Sequence, residues 1–117
     1  MRAPIERDLP SGPLADVRVL ELGGIGPSPF ATMTLAQHGA DVVRIDRATD
    51  PWSFPGTSAQ NLLHHGKRSI TLNLKRPEDR ATAHELAAAA DVIVESFRPG
   101  VTEQWQLGPQ DCLNRNP

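Results

Sequence analysis

One stretch of the chain, residues 17–47, constrains the fold more than any other. Its sequence is VRVLELGGIGPSPFATMTLAQHGADVVRIDR, in which two apolar runs flank a glycine-rich turn and a helical pattern. VRVLEL alternates apolar and polar residues before Gly23 and Gly24, a pattern typical of a strand that ends in a turn. DVVRID supplies a second strand with Val42, Val43 and Ile45 to bury.

A helix is predicted between these two strands. Ser28 followed by Pro29 indicates its start, with a hydroxyl cap and a proline at the first helical position. The residues with helical apolar spacing are Phe30, Met33, Ala36 and Ala40, and Gly39 marks the stop. The connection is too long for a tight hairpin, so we predict two parallel strands joined by a right-handed crossover.

The rest of the chain continues the alternation of strands and helices. SITLNL and DVIVES indicate two more strands, Pro77 opens a second helix, and residues 101–106 and 109–114 form short helices. The fold class is therefore α/β, an open and largely parallel sheet with flanking helices. Residues 1–15 are predicted to be a flexible leader outside the core, and residues 47–66 a long loop. So few helices leave part of the sheet uncovered, which indicates an incomplete domain.

Composition restricts the class of protein further. The chain has 117 residues, 38% of them hydrophobic, and a net charge of −2, which fits one soluble globular domain. No apolar run reaches the roughly 18 residues needed to span a bilayer, and the N-terminus lacks the apolar core of a secretory signal. The single cysteine, Cys112, is compatible with a reducing cytoplasm, where we place the protein. The near-neutral charge gives no support to nucleic acid as a partner.

The glycine turn is similar to a dinucleotide-binding fingerprint but departs from it. Gly24 and Gly26 are correctly spaced, and Asp46 lies where a carboxylate would accept hydrogen bonds from a ribose. Pro29, however, replaces the third glycine, and Pro27 lacks an amide that could donate to phosphate. NAD binding and a turn that only joins a strand to a helix both remain open.

Basic residues are concentrated in the middle of the chain. They are Arg44, Arg47, Lys67, Arg68, Lys75, Arg76, Arg80 and Arg98. Most are expected to be solvated surface charges. Those that follow strands, led by Arg47, would lie at the carboxyl edge of the sheet, where open α/β sheets bind ligands. A guanidinium there can hold a phosphate through two parallel hydrogen bonds, although a surface ion pair with Asp46 or Asp50 is the alternative.

Other candidate groups give weaker signals. Adjacent His64 and His65 rarely reach one metal ion together, so we interpret them as loop surface and predict no metal site. Cys112 has no obvious base beside it, which favours a packed thiol over a nucleophile. Neither a phosphate-binding lysine loop nor a pair of catalytic carboxylates is evident. We therefore predict a binding scaffold without catalytic residues.

Several segments together resemble a known family. They are GPLADVRVLELGGIGPSPFATMTLAQHGADVVRIDR, GKRSITLNLK, ADVIVESFRPGV and LGPQDCLNRNP, which occur in order from Gly12 to Pro117. They are similar to the N-terminal part of family III CoA-transferases of the CaiB/BaiF type. IGPSPF, VVRIDR and LGP resemble the α-methylacyl-CoA racemase branch of that family in particular.

The resemblance implies a site for coenzyme A. Residues 16–117 would form the N-terminal part of a Rossmann-like CoA-binding domain, and Arg47 would contact the CoA phosphates. The residues implied in binding are Gly26, Pro27, Arg47, Leu72, Asn73, Leu74, Lys75, Ser96, Phe97 and Arg98. Gln104 departs from the pattern, because some transferases carry a phosphate-binding arginine there. Coenzyme A would enter as part of an acyl-CoA substrate, and no tightly bound cofactor is expected.

The catalytic groups implied by the resemblance lie beyond residue 117. In the racemase branch a histidine and an aspartate would move the proton beside the thioester carbonyl. In the transferases an aspartate would form covalent intermediates. The predicted function is thus a CoA-thioester-binding segment of a racemase-like enzyme, with a family III transferase segment and an inactive nucleotide-binding module as alternatives. Full-length members would be homodimers, and no membrane partner is expected.

Overall fold

The structure, a computed structural model, describes residues 11–47 and 62–117. Its strands are β1 (Arg18–Leu22), β2 (Asp41–Asp46), β3 (Arg68–Thr71) and β4 (Val92–Val94). Its α-helices are α1 (Pro27–Gln37), α2 (Pro77–Ala89) and α3 (Pro109–Arg115), and single 3-10 turns occur at Leu62–His64 and Glu103–Trp105. The predicted leader up to residue 10 and most of the predicted loop, residues 48–61, lie outside the described residues.

The four strands form one parallel sheet in the order β3-β2-β1-β4. Strand β1 pairs with β2 on one side, Leu20 opposite Val43, and with β4 on the other, Leu20 opposite Ile93. The predicted α/β class and the parallel pairing of the first two strands are confirmed. The carboxyl ends of all four strands consequently lie along one edge of the sheet.

The first helix begins two residues earlier than its sequence pattern predicts. Pro27 is its first residue and Gly26, with φ of 94°, is the cap, so the predicted hydroxyl cap by Ser28 is wrong. The buried face is also different from the predicted one, because Ser28, Pro29 and Thr32 are buried while Phe30 is 61% exposed. The apolar spacing was misleading here because a polar cluster, described below, lies under the helix.

The larger core lies on the side of the sheet covered by α2 and α3. Its buried members are Leu20, Leu22, Ile45, Leu72, Leu74, Ala83, Ala87, Ala90 and Leu107. On α2 the buried side chains are the small ones of Ala83 and Ala87, and Leu86 packs beside them. Pro77 opens α2 as predicted, with Glu78 and Asp79 in its first turn, where carboxylates favour the positive end of the helix.

A smaller core lies on the α1 side of the sheet. Val19, Ala40 and Val42 are buried there, and Leu14 packs against them. The Leu14 amide also donates to the carbonyl oxygen of His38 at 3.0 Å. Residues 11–15, placed in the leader by sequence analysis, therefore contact the fold rather than lying outside it.

The described sheet is not completely covered. Val92 on the edge strand β4 is 39% exposed. On the α2 side, an open groove of about 370 Å³ lies between the sheet and the helix, with Leu20, Val43 and Leu86 among its lining residues. Among the described residues, no helix is long and apolar enough to cross a membrane.

Candidate functional site at the carboxyl edge of the sheet

The carboxyl edge carries an exposed arginine that rests on two aromatic rings. Arg47 follows β2 directly, and its Cζ lies 5.1 Å from the ring centroid of Phe97 and 5.3 Å from that of Trp105. The two rings meet edge to face, with centroids 5.6 Å apart. Aromatic rings attract a guanidinium through their negative faces, so Arg47 is held near the segments that follow β4.

Arg47 does not form the surface ion pair that was its alternative role with Asp46. The Asp46 carboxylate instead accepts a hydrogen bond from Arg44 Nε. Asp50, the other possible partner, lies outside the described residues. Among residues 11–47 and 62–117, no group accepts a hydrogen bond from Arg47, so the cation–π contacts leave its N–H donors available to an anion on that side.

The glycine turn between β1 and α1 is shaped by close contacts on its inner side. A Cβ on Gly23 would lie 2.4 Å from the carbonyl oxygen of Ile45, so only glycine fits there. Gly24 lies against Phe97, and Ser96 Oγ donates to the carbonyl oxygen of Ile25 at 3.2 Å. The turn and the residues after β4 are therefore in direct contact. In the described part of the chain, the amides of Gly24, Ile25 and Gly26 have no hydrogen-bond partner.

The predicted site residues after β3 divide into buried and exposed groups. The side chains of Leu72 and Leu74 are 7% and 8% exposed and belong to the core, so only their backbone could meet a ligand. Asn73 is exposed, but both its backbone and its side chain are hydrogen-bonded. Its backbone N–H donates to Asp79 Oδ2, and its side-chain Oδ1 accepts from the backbone N–H of Lys75. Both bonds fix the entry into α2, and the Lys75 side chain remains exposed at the edge.

The basic residues do not all converge on this edge. Arg44 and Lys67 are buried in ion pairs, and Arg68 pairs with Asp41 at the opposite, amino-terminal edge. Arg76 is exposed near Glu78, at 3.8 Å. Arg47, Lys75 and Arg98 are the predicted site residues that remain as exposed cations after β2, β3 and β4.

A buried charge network that sequence reasoning missed lies beneath the glycine turn. Its members are Glu21, Thr32, Arg44, Asp46 and Lys67. Glu21, on β1, is 0% exposed and pairs with Arg44 on β2 and, at 2.8 Å, with Lys67 Nζ. Thr32 Oγ1 on α1 donates to the same carboxylate at 2.7 Å.

The network also reaches the backbone of the turn. Arg44 Nη2 donates to the carbonyl oxygen of Gly24 at 3.3 Å, and Lys67 Nζ donates to that of Pro29 at 3.0 Å. No buried side-chain nitrogen or oxygen in the described residues lacks a partner. Two acidic and two basic side chains make the network neutral overall, which limits the cost of its burial.

Burial affects the titration of two groups at this network. Burial lowers the pKa of Lys67, and its bond to Glu21 opposes that shift without cancelling it. Burial also lowers the pKa of His64, and the nearby positive charge of Arg44 acts in the same direction. In both cases the charged form loses hydration that its neighbours do not fully replace.

The remaining candidate groups have structural surroundings. Cys112 packs against the larger core and its thiol donates to the carbonyl oxygen of Leu107, while burial raises its pKa. These contacts suit the predicted packed thiol. Within residues 11–47 and 62–117, no group of three or more His, Cys, Asp or Glu side chains could hold a metal ion.

Comparison with known proteins agrees with this architecture. Residues 14–117 match the model of CoA-transferase family III. The chain is 45% identical over 104 residues to mouse α-methylacyl-CoA racemase, covering 89% of this chain and 26% of that protein. It is 38% identical over 117 residues to the succinyl-CoA–D-citramalate CoA-transferase of Chloroflexus aurantiacus, covering 92% and 29%.

A solved structure has the same fold. The crystal structure of a hypothetical protein from Mycobacterium tuberculosis superposes with a TM-score of 0.81 at 33% identity, covering 92% of this chain and 32% of that one. The chain thus spans about a quarter to a third of the length of the proteins it matches. Both racemases and transferases occur among the relatives, and the match covers almost the entire sequence: the chain belongs to CoA-transferase family III.

Proposed function

We propose that this chain binds the phosphate-bearing part of a coenzyme A thioester at the carboxyl edge of its sheet. It would do so as the N-terminal segment of an α-methylacyl-CoA racemase-like enzyme, which epimerises a 2-methylacyl-CoA by transfer of the α-proton. The substrate partner is an acyl-CoA. Coenzyme A would thus be part of the substrate and not a resident cofactor.

The observation that carries the proposal is the position of Arg47. Its guanidinium is exposed at the end of β2, yet held beside Phe97 and Trp105. A cation held in one place loses less conformational entropy when it binds an anion. Its flat fork of N–H donors matches two oxygens of a phosphate, which suits the diphosphate of coenzyme A.

Neighbouring groups support an anionic ligand at the same edge. Lys75 and Arg98 add two exposed cations after β3 and β4. The turn amides of Gly24, Ile25 and Gly26, which have no partner within the described residues, precede the positive N-terminal end of α1. Free amides and a helix N-terminus both favour negatively charged groups.

The NAD interpretation is less well supported by the same geometry. Asp46 would have to accept hydrogen bonds from a ribose, but its Oδ1 already accepts from Arg44. Pro27 lies at the first position of α1 and provides no amide for a phosphate. Phosphate binding by Arg47 needs neither the Asp46 carboxylate nor an amide at Pro27.

A CoA-transferase segment is the second candidate. The 38% identity to the Chloroflexus transferase covers nearly all of this chain, as the racemase match does. Racemase and transferase chemistry would share the CoA phosphates as the group bound here. A longer protein that contains this segment would distinguish them: a racemase exchanges the α-proton of a 2-methylacyl-CoA with D₂O, and a transferase moves CoA to a free carboxylate.

Ligand selectivity of the 117-residue chain tests the proposal. We expect calorimetry to show binding of free CoA, weaker binding of NAD, and at least about tenfold weaker binding of pantetheine, because pantetheine lacks the phosphates that make charge-assisted hydrogen bonds. The CoA affinity should also fall as salt is added, since exposed cations are screened. Equal affinity for CoA and pantetheine, or tighter binding of NAD, would contradict the proposal.

A further inference from the structure

The buried charge network has no place in the function proposed above, although it lies directly beneath the glycine turn. We propose that Lys67 and Arg44 are positioning residues, which hold the glycine turn and the first residues of α1, together residues 24–29, in the shape that receives the ligand phosphates. This inference rests on the proposed function. It identifies the residues that preorganise the site from below.

The contacts of the network hold backbone carbonyls in and beside the turn. Arg44 donates to the carbonyl oxygen of Gly24 near the start of the turn. Lys67 donates to the carbonyl oxygen of Pro29, in the first turn of α1. Ser96 holds the carbonyl oxygen between them, that of Ile25. Two carbonyls of the turn and one of the first turn of α1 are thereby fixed by side chains from β2, from the segment after β4 and from the residue before β3.

The network buries charged side chains at positions where apolar ones would serve stability as well. Removing charged groups from water is expensive, and apolar side chains of similar size often stabilise a protein as well or better. Glu21 is 0% exposed, and the Lys67 side chain is 1% exposed. Stability alone is therefore a weak reason for ions at these positions. Apolar residues there could not donate hydrogen bonds to the turn.

Lys67 connects β1, α1 and the start of β3. Its single Nζ bonds Glu21 on β1 and the carbonyl oxygen of Pro29 in α1, while its backbone leads into β3. Glu21 in turn fixes both Arg44 and Thr32. A change at Lys67 should consequently loosen the start of α1, and the turn that precedes it, while the sheet pairings remain.

The decisive variant must remove Lys67 without leaving a buried charge unpaired. Lys67→Met alone leaves Glu21 with one cationic partner and is expected to lower stability strongly. The double variant Glu21→Gln, Lys67→Met removes one charge of each sign, so Arg44 keeps Asp46 as its partner. It should be more stable than Lys67→Met, while the carbonyl oxygen of Pro29 still lacks the charged donor and keeps only the weaker bond from Thr32 Oγ1.

We expect the double variant to bind CoA about five- to tenfold more weakly than the unchanged chain, the usual effect of losing one charge-assisted hydrogen bond that orders a site. NMR should show shifted resonances for the amides of Gly24, Ile25 and Gly26. The amides of β1 and β2 should not change, except at the substituted residue 21, at Arg44 and at their direct neighbours. Arg68→Met removes an exposed cation paired with Asp41 at the other edge. It should leave the CoA affinity and the amide resonances of the turn unaltered.

The outcomes separate the two proposals. If the double variant binds CoA as tightly as the unchanged chain and its turn amides do not shift, Lys67 has no positioning role, although the CoA site stands. If the unchanged chain binds no CoA, the proposed function fails, and unaltered turn amides would then overturn the positioning role as well. If the turn amides shift together with those of the whole sheet, the network is structural only.

Discussion

At the scale of single residues, the site depends on how one arginine is held. Arg47 is exposed, and an exposed arginine normally samples many rotamers. Phe97 and Trp105 restrict it through contacts of about 5 Å that do not consume its hydrogen-bond donors. The aromatic pair is therefore expected to act on ligand affinity through Arg47.

A double-mutant cycle tests this dependence. Phe97→Leu keeps an apolar side chain against the core but removes the ring, and Arg47→Lys keeps the charge but removes the flat guanidinium. We expect Phe97→Leu to weaken CoA binding about two- to fivefold, in line with an exposed cation–π contact. In the Arg47→Lys background it should have a smaller effect, because that contact is already weakened. Strictly additive effects in calorimetry would show that Phe97 acts independently of Arg47.

Sequence patterns identified some of these residues and missed others for physical reasons. Arg47 could be placed at the carboxyl edge because it directly follows a recognisable strand. Trp105 could not be connected to it, because the contact joins segments far apart in the chain. Leu72 and Leu74 were predicted as ligand contacts, yet their side chains fill the core, which leaves only their backbone for that role.

At the scale of strands and helices, polar residues within the strands gave the least predictable result. Alternation in VRVLEL places Glu21 on one face of β1, a position that would ordinarily face solvent. Helix α1 and Lys67 instead enclose that face, so the carboxylate is fully buried. No local pattern predicts this burial, because the partners of Glu21 come from β2, from α1 and from the residue before β3.

The His64 side chain beside this network predicts a pH dependence of stability. Burial, with Arg44 nearby, holds its pKa below 6.5 in the folded chain. Below about pH 6.5 the unfolded chain therefore takes up a proton that the folded chain resists. The free energy of unfolding should consequently fall as the pH decreases through this range.

Urea unfolding of His64→Gln measures this contribution. Between about pH 7.5 and pH 5.5 the variant should lose less stability than the unchanged chain, since glutamine has no proton to gain. His65→Gln, which changes the exposed neighbour and keeps His64, is the matched control and should retain the original slope. A His64→Gln slope identical to that of the unchanged chain would show that this histidine does not contribute.

At the scale of the whole molecule, the order of the elements was the most predictable property. Helices α1 and α2 each follow one strand and precede the next, a pattern that predicts a parallel α/β sheet because parallel neighbours require crossovers. The strand order β3-β2-β1-β4 brings the ends of β2 and β4 to either side of β1. This order places the glycine turn between Arg47 and Phe97, and so creates the candidate site.

The uncovered parts of the sheet agree with the extent of the family match. Val92 and the groove beside α2 expose apolar surface that isolated domains usually bury. The chain spans 26% of the mouse racemase and 29% of the Chloroflexus transferase. The carboxyl ends of the four described strands, in contrast, all belong to this chain, so the binding proposal can be tested on it directly.

The most direct test of the account is the CoA affinity of Arg47→Ala, measured by calorimetry beside Arg68→Ala. Both variants remove one exposed arginine, but Arg68 lies at the opposite edge of the sheet in a pair with Asp41. We predict at least about tenfold weaker CoA binding for Arg47→Ala, since a charge-assisted phosphate contact is lost, and an unchanged affinity for Arg68→Ala. An Arg47→Ala chain that binds CoA as tightly as the unchanged chain would contradict the proposed site.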